Sequence, residues 1–333
     1  MTTSPNFTYN RNQICFRSLR QVGAIAQGET PGAQELSDTV DALNAMVAGW
    51  QASGLHLWKE KEGTLFLQPM QYNYGLGGAG ASGGTTIAYV TPTPNLIMLT
   101  TTSATLAAGT TAFPVLSSAG VNIGDNFGIM QSNNQLFWGV VSAVATGQVT
   151  VSGAGTTQVV NPSANAFDFP QLVTGTPASC AIYRPLRVLN VRRILWSSLI
   201  ETMVTSMSRL DYRNQPDKTT TGVVTQFFYD PQEITGQFWA WPNPQDSLNG
   251  LNFTYMEPIY DFNTAADYPD FPQEWINALV WNLSDEIGIE YDIPDNRAAR
   301  IAQKAAQSLD LVMGFDREPE SFFLGVNFDQ TRR

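Results

Sequence analysis

The chain has 333 residues, 43% of them hydrophobic and 11% aromatic, which is enough to form the cores of about two domains. Eighteen basic and 29 acidic residues give a net charge of −11, and this sign disfavours tight DNA binding, because phosphate contacts need a basic surface. Two widely separated cysteines and a single histidine exclude a disulfide scaffold and a zinc site built from Cys and His ligands.

Two helices are predicted near the start of the chain from the spacing of apolar residues. Apolar residues from Ile14 to Ile25 recur at a weak helical spacing, and this pattern ends near Gly28. A longer helix is expected after the N-cap residue Thr30, with Gly54 as a left-handed stop. Together these segments predict a helical hairpin.

The next segment is predicted to enter a β-sheet. Leu55–Trp58 and Thr64–Gln68 alternate with period two, and Lys59–Glu62 is expected to be a charged turn between them. The glycine-rich stretch Gly75–Gly84 is typical of a flexible linker. It formally contains a G-x-G-x-x-G dinucleotide fingerprint, but no helix is predicted after it to receive a pyrophosphate.

A long neutral stretch follows. Between Gly63 and Tyr183 only Asp125 and Asp168 carry charge, which marks an insertion whose surface suits contacts with other protein copies. Short β-type runs separated by turn residues recur about every 8 to 12 residues, as in a small barrel or sandwich. The runs are Ile97–Leu99, Phe113–Leu116, Phe127–Met130, Leu136–Val141 and Gln148–Val151, with later ones at Thr225–Tyr229, Gln237–Trp241 and Leu251–Tyr255.

Helical patterns return late in the chain. Asp270 and Gln273 resemble a capping box, and an apolar stripe at four-residue steps runs from Trp275 to Ile287. Asp295 is expected to cap a last helix that Gly314 closes. Helices at both ends most simply pack as one bundle, so an α+β fold is predicted. It comprises a discontinuous helical bundle from residues 1–63 and 265–314, a β-rich insertion at 64–264 with a neutral sub-module at about 85–180, and an extended tail at 315–333.

Few patterns indicate catalysis. His56 could activate Ser53 or another serine, but it more simply occupies the polar face of a strand. Glu286 and Glu290 would share one face of the third helix, either as a carboxylate pair for glycoside hydrolysis or as a solvated helix face. The acidic residues show no EF-hand spacing, and the sequence predicts no catalytic residue, cofactor or metal.

Two further patterns allow binding. Six arginines lie between Arg184 and Arg213, and they could contact phosphates, an acidic protein partner or the acidic surface of this protein itself. Trp239 and Trp241 lie on the same face of a predicted strand, where they could stack on sugars or bases, although such a pair is more typical of a core. No binding site is therefore assigned to these tryptophans.

Several segments together carry a family resemblance. They are Leu19-Arg-Gln-Val-Gly-Ala-Ile25, Leu43-Asn-Ala-Met-Val-Ala-Gly-Trp50, Gly54-Leu-His-Leu-Trp58, Tyr72-Asn-Tyr-Gly-Leu-Gly77, Leu210-Asp-Tyr212, Trp239-Ala-Trp-Pro-Asn-Pro244 and Pro272-Gln-Glu-Trp-Ile-Asn-Ala-Leu279. In this order they resemble the head-to-tail adaptor proteins of short-tailed bacteriophages, also called tail accessory, head-completion or packaged-DNA-stabilisation proteins. The neutral insertion matches less well, although Gly120–Met130 and Trp138–Val144 are similar to an accessory β module that such adaptors can carry.

The resemblance implies a structural virion protein and not an enzyme. It implies a ring of copies, expected to be dodecameric, that assembles in the host cytoplasm and lies at the head-tail junction between the portal and the tail tube or nozzle. Packaged DNA would be retained and would later pass through the channel without sequence-specific binding, which suits acidic subunits.

The resemblance also implies a role for the end of the chain. The C-terminal tail is expected to extend along the portal and to become ordered on docking; a frayed terminus is the alternative. The docking residues expected there are Phe315, Phe322, Phe323, Leu324 and Phe328.

Two other functions stay open at this point. A virion-associated peptidoglycan hydrolase would use late carboxylates such as Glu286, and a carbohydrate-binding β module would bind glycans through residues 85–180. No apolar run approaches the roughly 18 residues of a transmembrane helix, so no membrane partner is expected.

Overall fold

The computed structural model describes residues 8–53, 59–77, 88–171 and 179–315. These residues divide into two compact units. The described parts of Met1–Trp58 and Ile259–Arg333 form a helical unit, and those of Lys59–Pro258 form a β-rich unit. The predicted α+β class, with terminal helices and a β-rich insertion, is thereby confirmed.

Four helices form the described part of the helical unit. They are α1 (Arg11–Val22), α2 (Ala33–Ser53), α4 (Ile276–Gly288) and α5 (Asp295–Phe315), and a 3-10 turn (Gln273–Trp275) leads into α4. The short helix α3 (Arg209–Asn214) belongs to the β-rich unit.

Helix α4 lies at the centre of the helical unit and packs against α1, α2 and α5. Leu19, Leu43, Leu283 and Ile301, one from each of the four helices, are buried in one cluster. Burying such a side chain fully is worth about 1.5–3 kcal/mol, so this shared core joins the two ends of the chain. The hydroxyl of buried Ser18 adds a polar link, donating to the Val280 carbonyl over 3.1 Å.

The first helix ends earlier than its apolar pattern indicates. Its N-cap is Asn10, and Gly23 follows the last turn at a left-handed φ of 87°, where its N–H donates to the Leu19 carbonyl over 3.0 Å. Glycine adopts this conformation without steric cost, so α1 stops there and not near Gly28. Ile25 lies beyond the helix but is still buried in the same core.

The other helix starts also differ from the sequence predictions. Asp270 does not mark the start of the helix: a 3-10 turn begins at Gln273 after Pro272, and α4 follows from Ile276. Asp295 is the first residue of α5 and not its cap, and Gly314 lies within that helix. The second helix begins at Ala33, a little after the expected start, and its predicted stop at Gly54 lies outside the described residues.

Sixteen strands are present in the described part of the β-rich unit. They are β1 (Glu60–Phe66), β2 (Asn73–Leu76), β3 (Tyr89–Pro92), β4 (Ile97–Thr100), β5 (Ala112–Pro114), β6 (Asn126–Met130), β7 (Leu136–Ala145), β8 (Gln148–Val151), β9 (Asn165–Phe169), β10 (Arg187–Leu195), β11 (Ile200–Ser206), β12 (Thr221–Gly222), β13 (Gln226–Asp230), β14 (Gly236–Trp241), β15 (Asn243–Pro244) and β16 (Asn249–Met256). Strands β12 and β15 form a small two-stranded pair, and the others form two larger sheets.

The larger sheet has eight strands in the order β2-β14-β13-β11-β10-β16-β1-β3. Its two edge strands contribute to the same buried cluster, with Tyr74 from β2 and Val90 from β3. Central residues such as Val191, Leu251 and Phe253 complete this cluster. Because both edges face one core, the sheet is curved into a barrel-like form.

The smaller sheet has six strands in the order β4-β9-β6-β7-β8-β5. Its edge strands come together just beyond their ends, through a bridge between Thr101 and Val115. The enclosed cluster includes Phe113, Phe127 and Val149, all fully buried. Of the small barrel or sandwich predicted for the neutral segment, this arrangement favours the barrel.

An aromatic cluster joins the two sheets. Phe66 of the eight-stranded sheet lies 5.0 Å from Phe167 and 4.9 Å from Trp138 of the six-stranded sheet, measured between ring centroids. Trp196, which follows β10, stacks on Phe66 at 5.3 Å. Aromatic pairs at these separations add stabilisation beyond their buried area, so the two sheets share a packed interface.

Two predictions near the start of the β-rich unit are wrong. The segment Lys59–Glu62 is not a turn: β1 begins at Glu60, and Lys59 is buried with its Nζ 3.7 Å from Glu257 Oε2. The predicted linker at Gly75–Gly84 begins inside strand β2, where Leu76 is buried. The remainder of that linker and the predicted strand before Lys59 lie outside the described residues.

Candidate functional site

The hairpin formed by β10 and β11 presents large apolar side chains to solvent. Its connection, residues 196–199, ends at Leu199, which has a left-handed φ of 55° and is 52% exposed. On β11, Ile200 is 64% exposed and Met203 is 76% exposed. Exposed apolar residues that are grouped on one element are more informative than residues scattered singly, because grouped patches mark interaction sites. The hairpin is therefore a candidate interaction surface.

One edge of β11 is open. Residues Ile200–Val204 pair with β10, but β11 meets β13 only through Thr205 and Ser206. Within the described ranges, the other edge of Ile200–Val204 has no paired strand. An open edge offers unpaired backbone N–H and C=O groups to another chain, which adds a second means of association to this hairpin.

Basic side chains lie in the same region. From Arg184 to Lys218 there are seven basic and three acidic residues, which gives a local charge of +4 in a chain of −11. Arg192 is directly opposite Met203 in the β10–β11 pairing, and its side chain is 64% exposed. Arg192 and Met203 therefore lie side by side on one face of the hairpin, whereas Ile200 lies on the other face.

Some of the basic segment is used within the β-rich unit. Arg209 forms an ion pair with Asp230, and its guanidinium lies 5.8 Å from the centroid of the Phe228 ring. Arg193 donates from Nη1 to the Val224 carbonyl over 3.3 Å. These two arginines neutralise or bind groups of the protein itself, as one of the sequence alternatives proposed.

A polar groove of about 180 Å³ lies on the outer face of the eight-stranded sheet. Thr64 donates from Oγ1 to Asn252 Oδ1 over 3.0 Å, and Asn252 donates from Nδ2 to Glu201 Oε1 over 2.8 Å. Glu201 also accepts a hydrogen bond from Arg192 Nη1 over 3.3 Å. The network crosses four strands and pairs the exposed Arg192 with Glu201, beside Met203 of β11.

The two charged residues of the neutral segment are brought together in the structure. Asp168 is fully buried, and it lies on the face of β9 that also carries Ala166 into the core of the six-stranded sheet. Burial, and then the nearby charge of Asp125, raise the pKa of Asp168 to about 8. At neutral pH Asp168 is therefore mainly protonated, and Asp125 remains the acceptor of the Asn122 N–H at 2.8 Å.

The carboxylates considered for hydrolysis do not share a helix face. Helix α4 ends at Gly288, so Glu286 is helical and Glu290 lies in the turn beyond it; the predicted four-residue pair on one helix is wrong. Both glutamates and Asp285 are exposed, and Ile289 beside them is 87% exposed. The end of α4 is an exposed isoleucine with carboxylates around it.

The tryptophans of β14 face away from the core, contrary to expectation. Phe238 and Ala240 are the buried residues of this strand, whereas Trp239 and Trp241 are half-buried. Tyr72 stacks on Trp239 with their ring centroids 5.6 Å apart. The strand alternates as predicted, but the opposite set of residues faces the core.

The other candidate residues give no site. Cys15 and Cys180 are both buried, and burial raises the pKa of Cys15 to about 12. Among the described residues, no group of three or more His, Cys, Asp and Glu side chains could hold a metal, and no helix is long and apolar enough to cross a membrane. His56 lies outside the described residues.

The predicted docking tail also lies mostly outside the described part of the chain. Phe315 is the last residue of α5. The other four docking residues, Phe322, Phe323, Leu324 and Phe328, follow the described residues. Their role in docking stays a prediction.

The exposed hairpin was missed in the sequence, although a signal for it exists. Two runs rich in β-branched residues, Val188–Leu195 and Ile200–Thr205, flank the short segment Trp196-Ser-Ser-Leu199. This is a hairpin pattern with a short connection. Arg192 and Arg193 lie within the first run, and they make its strand pattern less evident.

Comparison with known proteins adds no further identification. No protein-family model matches the chain, and no curated protein matches its sequence. Function is therefore inferred from the residues, their arrangement in the structure and the family resemblance of particular segments.

Proposed function

We propose that this chain is a structural virion protein, a non-enzymatic head-to-tail adaptor of a short-tailed bacteriophage. Its copies close into a ring, expected to be dodecameric, beneath the portal at the head-tail junction. The ring retains packaged DNA, contacts the tail tube or nozzle, and lets the DNA pass during ejection. Assembly takes place in the host cytoplasm.

The segments that resemble adaptors meet in one core, which supports this proposal. Leu19, Leu43 and Leu279 come from three such segments at opposite ends of the chain. All three are fully buried in the same cluster of the helical unit. The segments that carry the resemblance thus contain core residues of the helical unit. Proteins that share a fold must fill the same core, so a resemblance is expected there.

The observation that carries the proposal is the presence of exposed large apolar residues in both units. Ile200 and Met203, on opposite faces of β11, are exposed in the β-rich unit, and Ile289 and Leu311 are exposed in the helical unit. A subunit with exposed apolar residues in two regions can bury both through a head-to-tail contact, in which unlike surfaces meet. Repeated contacts of this kind close into rings when the rotation between copies permits.

The charge distribution fits a ring around DNA. The segments 1–58 and 259–333 carry 9 basic and 18 acidic residues, and the β-rich unit carries 9 basic and 11 acidic residues. Acidic surfaces attract DNA phosphates little, so DNA can slide through such a ring without binding tightly.

Mass measurement of the purified full-length protein tests the proposal. Sedimentation across a wide concentration range, alone and with the portal protein of the same phage, is expected to show a closed assembly of about twelve copies. Electron microscopy should then show an axial opening. A protein that stays monomeric under both conditions, or that forms open filaments, contradicts the proposal.

A further inference from the structure

A groove of about 400 Å³ lies in the helical unit, between α1, α4 and α5. Trp281 of α4 is half-buried there, and Ile301 of α5, which also lines the groove, is buried. Three cations of α5 line it as well, Arg297, Arg300 and Lys304, and none of the described residues that line it is acidic. The groove therefore combines apolar side chains with positive charge.

The cations of the groove are not neutralised by the described part of the chain. Arg297 donates from Nη1 to the Val22 carbonyl over 2.8 Å, and Lys304 donates from Nζ to Gln307 Oε1 over 3.5 Å. Neither of them, nor Arg300, forms an ion pair with a described carboxylate. The segments that contain the helical unit carry 18 acidic and only 9 basic residues. Three cations without a carboxylate partner therefore favour a negatively charged occupant.

A stripe of residues on α5 leads from the groove towards the end of the helix. Arg300, Lys304, Gln307 and Leu311 follow one another at steps of four, three and four residues, so they share one face of α5. Leu311 is 76% exposed. The stripe thus connects the groove with Phe315, the last residue of α5.

The residues that follow α5 in the chain complement this stripe and the groove. Residues 316–320 include three carboxylates, Asp316, Glu318 and Glu320, and one arginine. The apolar run Phe322-Phe-Leu324 comes after Ser321. A chain that passes the basic stripe first and then enters the apolar groove needs acidic residues followed by apolar ones, which is the order found here.

The length of this segment fits as well. Arg300 lies fifteen residues before Phe315 in α5, which is about 22 Å along a helix with a rise of 1.5 Å per residue. About seven extended residues at roughly 3.3 Å each span that distance. Counted from Phe315, seven residues end at Phe322, and a reversal of about two residues moves this end to Leu324. The apolar run therefore reaches the groove.

The covalent link to α5 selects this segment over other acidic chains. A short tether holds two groups of one copy at an effective concentration of about 1 mM. A contact with a dissociation constant of about 0.1 mM is then about nine-tenths formed within one copy. A separate chain of the same affinity at about 1 μM would fill the groove to only about 1%.

We propose that residues 316–324 dock along α5 of their own copy, with their two phenylalanines in the groove against Trp281. The carboxylates before them face Arg300 and Lys304. Ile289, which lies beyond α4 and not on the stripe, remains exposed for contacts between copies. In a free copy the groove covers apolar residues that the proposed function assigns to portal docking, so the portal competes with the groove for them. The inference deepens the proposed function, and only this competition rests on it.

An engineered disulfide tests the contact in the full-length protein. Gln303→Cys in the groove is combined with Ser321→Cys, and the protein is oxidised at a concentration at which sedimentation shows single copies. Because a disulfide requires Cα atoms within about 7 Å, the bond should form within one copy in most chains. Mass spectrometry of the digested protein identifies it. The matched control replaces Gln303→Cys by Ala302→Cys, an exposed position of α5 that does not line the groove, and should form the disulfide at least about tenfold more slowly.

Exchange of the charges tests what holds the segment. The groove variant combines Arg300→Glu with Lys304→Glu, and the tail variant combines Glu318→Lys with Glu320→Lys. Amide hydrogen exchange of residues 316–324 should be about tenfold faster in each variant than in the wild type, because the docked fraction is lost. All four substitutions together place unlike charges opposite each other again and should bring the exchange rate within about twofold of the wild type.

A control pair changes charge elsewhere on the surface. Arg187→Glu with Arg213→Glu reverses two exposed cations of the β-rich unit and should leave the exchange of residues 316–324 within about twofold of the wild type. Circular dichroism and thermal unfolding verify that all variants remain folded, which is expected because the changed residues of α5 are exposed.

The outcomes separate this inference from the proposed function, because every experiment uses the free protein without the portal. Equal disulfide rates at positions 302 and 303, disulfides that join two copies, or hydrogen exchange that the charge variants leave unchanged each overturn the docking of the segment. The adaptor proposal would stand in all three cases. A wild-type chain that never assembles into rings contradicts the adaptor proposal, while a disulfide formed within one copy would still support the docked segment.

Discussion

The helical unit and the six-stranded sheet place their carboxylates in opposite environments. None of the described acidic residues of the helical unit is buried. In the six-stranded sheet, Asp125 and Asp168 are the two carboxylates, and both are buried. Exposed charges repel one another through solvent and respond to salt, whereas buried carboxyls respond to pH. The comparison predicts that different conditions destabilise the two regions.

The largest expected effect tests whether the β-rich unit is stabilised by the aromatic interface between its two sheets. Replacement of Phe66 by alanine should lower the free energy of unfolding by about 3–5 kcal/mol, because Phe66 is fully buried between the two sheets. Urea unfolding measures this change. The control is Leu116→Ala, an exposed position of the same unit, with an expected change within about 0.5 kcal/mol. Equal effects of the two substitutions would contradict the shared aromatic interface.

The second prediction concerns pH and Asp168. Its pKa of about 8 in the folded chain lies above its usual value of about 4, so the unfolded state binds fewer protons between these values. Stability should therefore be greatest below about pH 4 for this group and fall as the pH rises towards 8, by at most about 1.4 kcal/mol per pH unit.

The Asp168→Asn variant removes this titration. Its free energy of unfolding, measured by urea titration from pH 5 to pH 8, should fall less steeply than that of the wild type. The exposed Asp310→Asn substitution in α5 serves as the control and should keep the wild-type slope. An unchanged slope in Asp168→Asn would show that the buried pair does not determine the pH response.

A third prediction compares capping boxes in the two units. At α1, Asn10 accepts from the Gln13 N–H at 2.9 Å; at α3, Ser208 accepts from the Asp211 N–H at 3.1 Å. Asn10→Ala should cost about 1 kcal/mol, because α1 carries a buried face of the helical core. Ser208→Ala should cost less, because α3 has six residues and buries only Tyr212. Thermal unfolding that ranks the two in the opposite order would contradict this assignment.

The smallest expected effect concerns salt. Glu286→Gln with Glu290→Gln removes two exposed negative charges from an acidic region, so stability at low salt should rise by a few tenths of a kcal/mol. The gain should disappear near 1 M salt, where the screening length is about 3 Å. The control is Glu233→Gln in the β-rich unit, which has nearly equal numbers of basic and acidic residues. Thermal unfolding at low and high salt gives the measurement.

The same double substitution addresses the hydrolase alternative. If this protein cleared peptidoglycan with these carboxylates, the activity would be lost in the Gln variant. The adaptor proposal expects no peptidoglycan hydrolysis from either the wild type or the variant.

Local patterns predicted the regular elements well where one face of an element is apolar. The runs around Phe127 and Leu136 became strands β6 and β7, and the stripe from Trp275 to Ile287 became the buried face of α4 and its preceding turn. In these segments burial follows the spacing of apolar residues directly. The sequence indicates the basic residues of the candidate surface but not the exposed apolar residues of β11, because their exposure depends on tertiary packing.

The sequence by itself determined the α+β class and the low charge of the neutral segment, because both depend on residue type and local spacing. The tertiary structure alone decided which groups meet. Asp125 and Asp168 are 43 residues apart in the chain, yet strand pairing brings them together in one core. The sequence predicts that Lys59 lies in a turn. In the structure its charge partner is Glu257, which is far away in the chain. Such pairings arise from long-range strand register, which local composition does not specify.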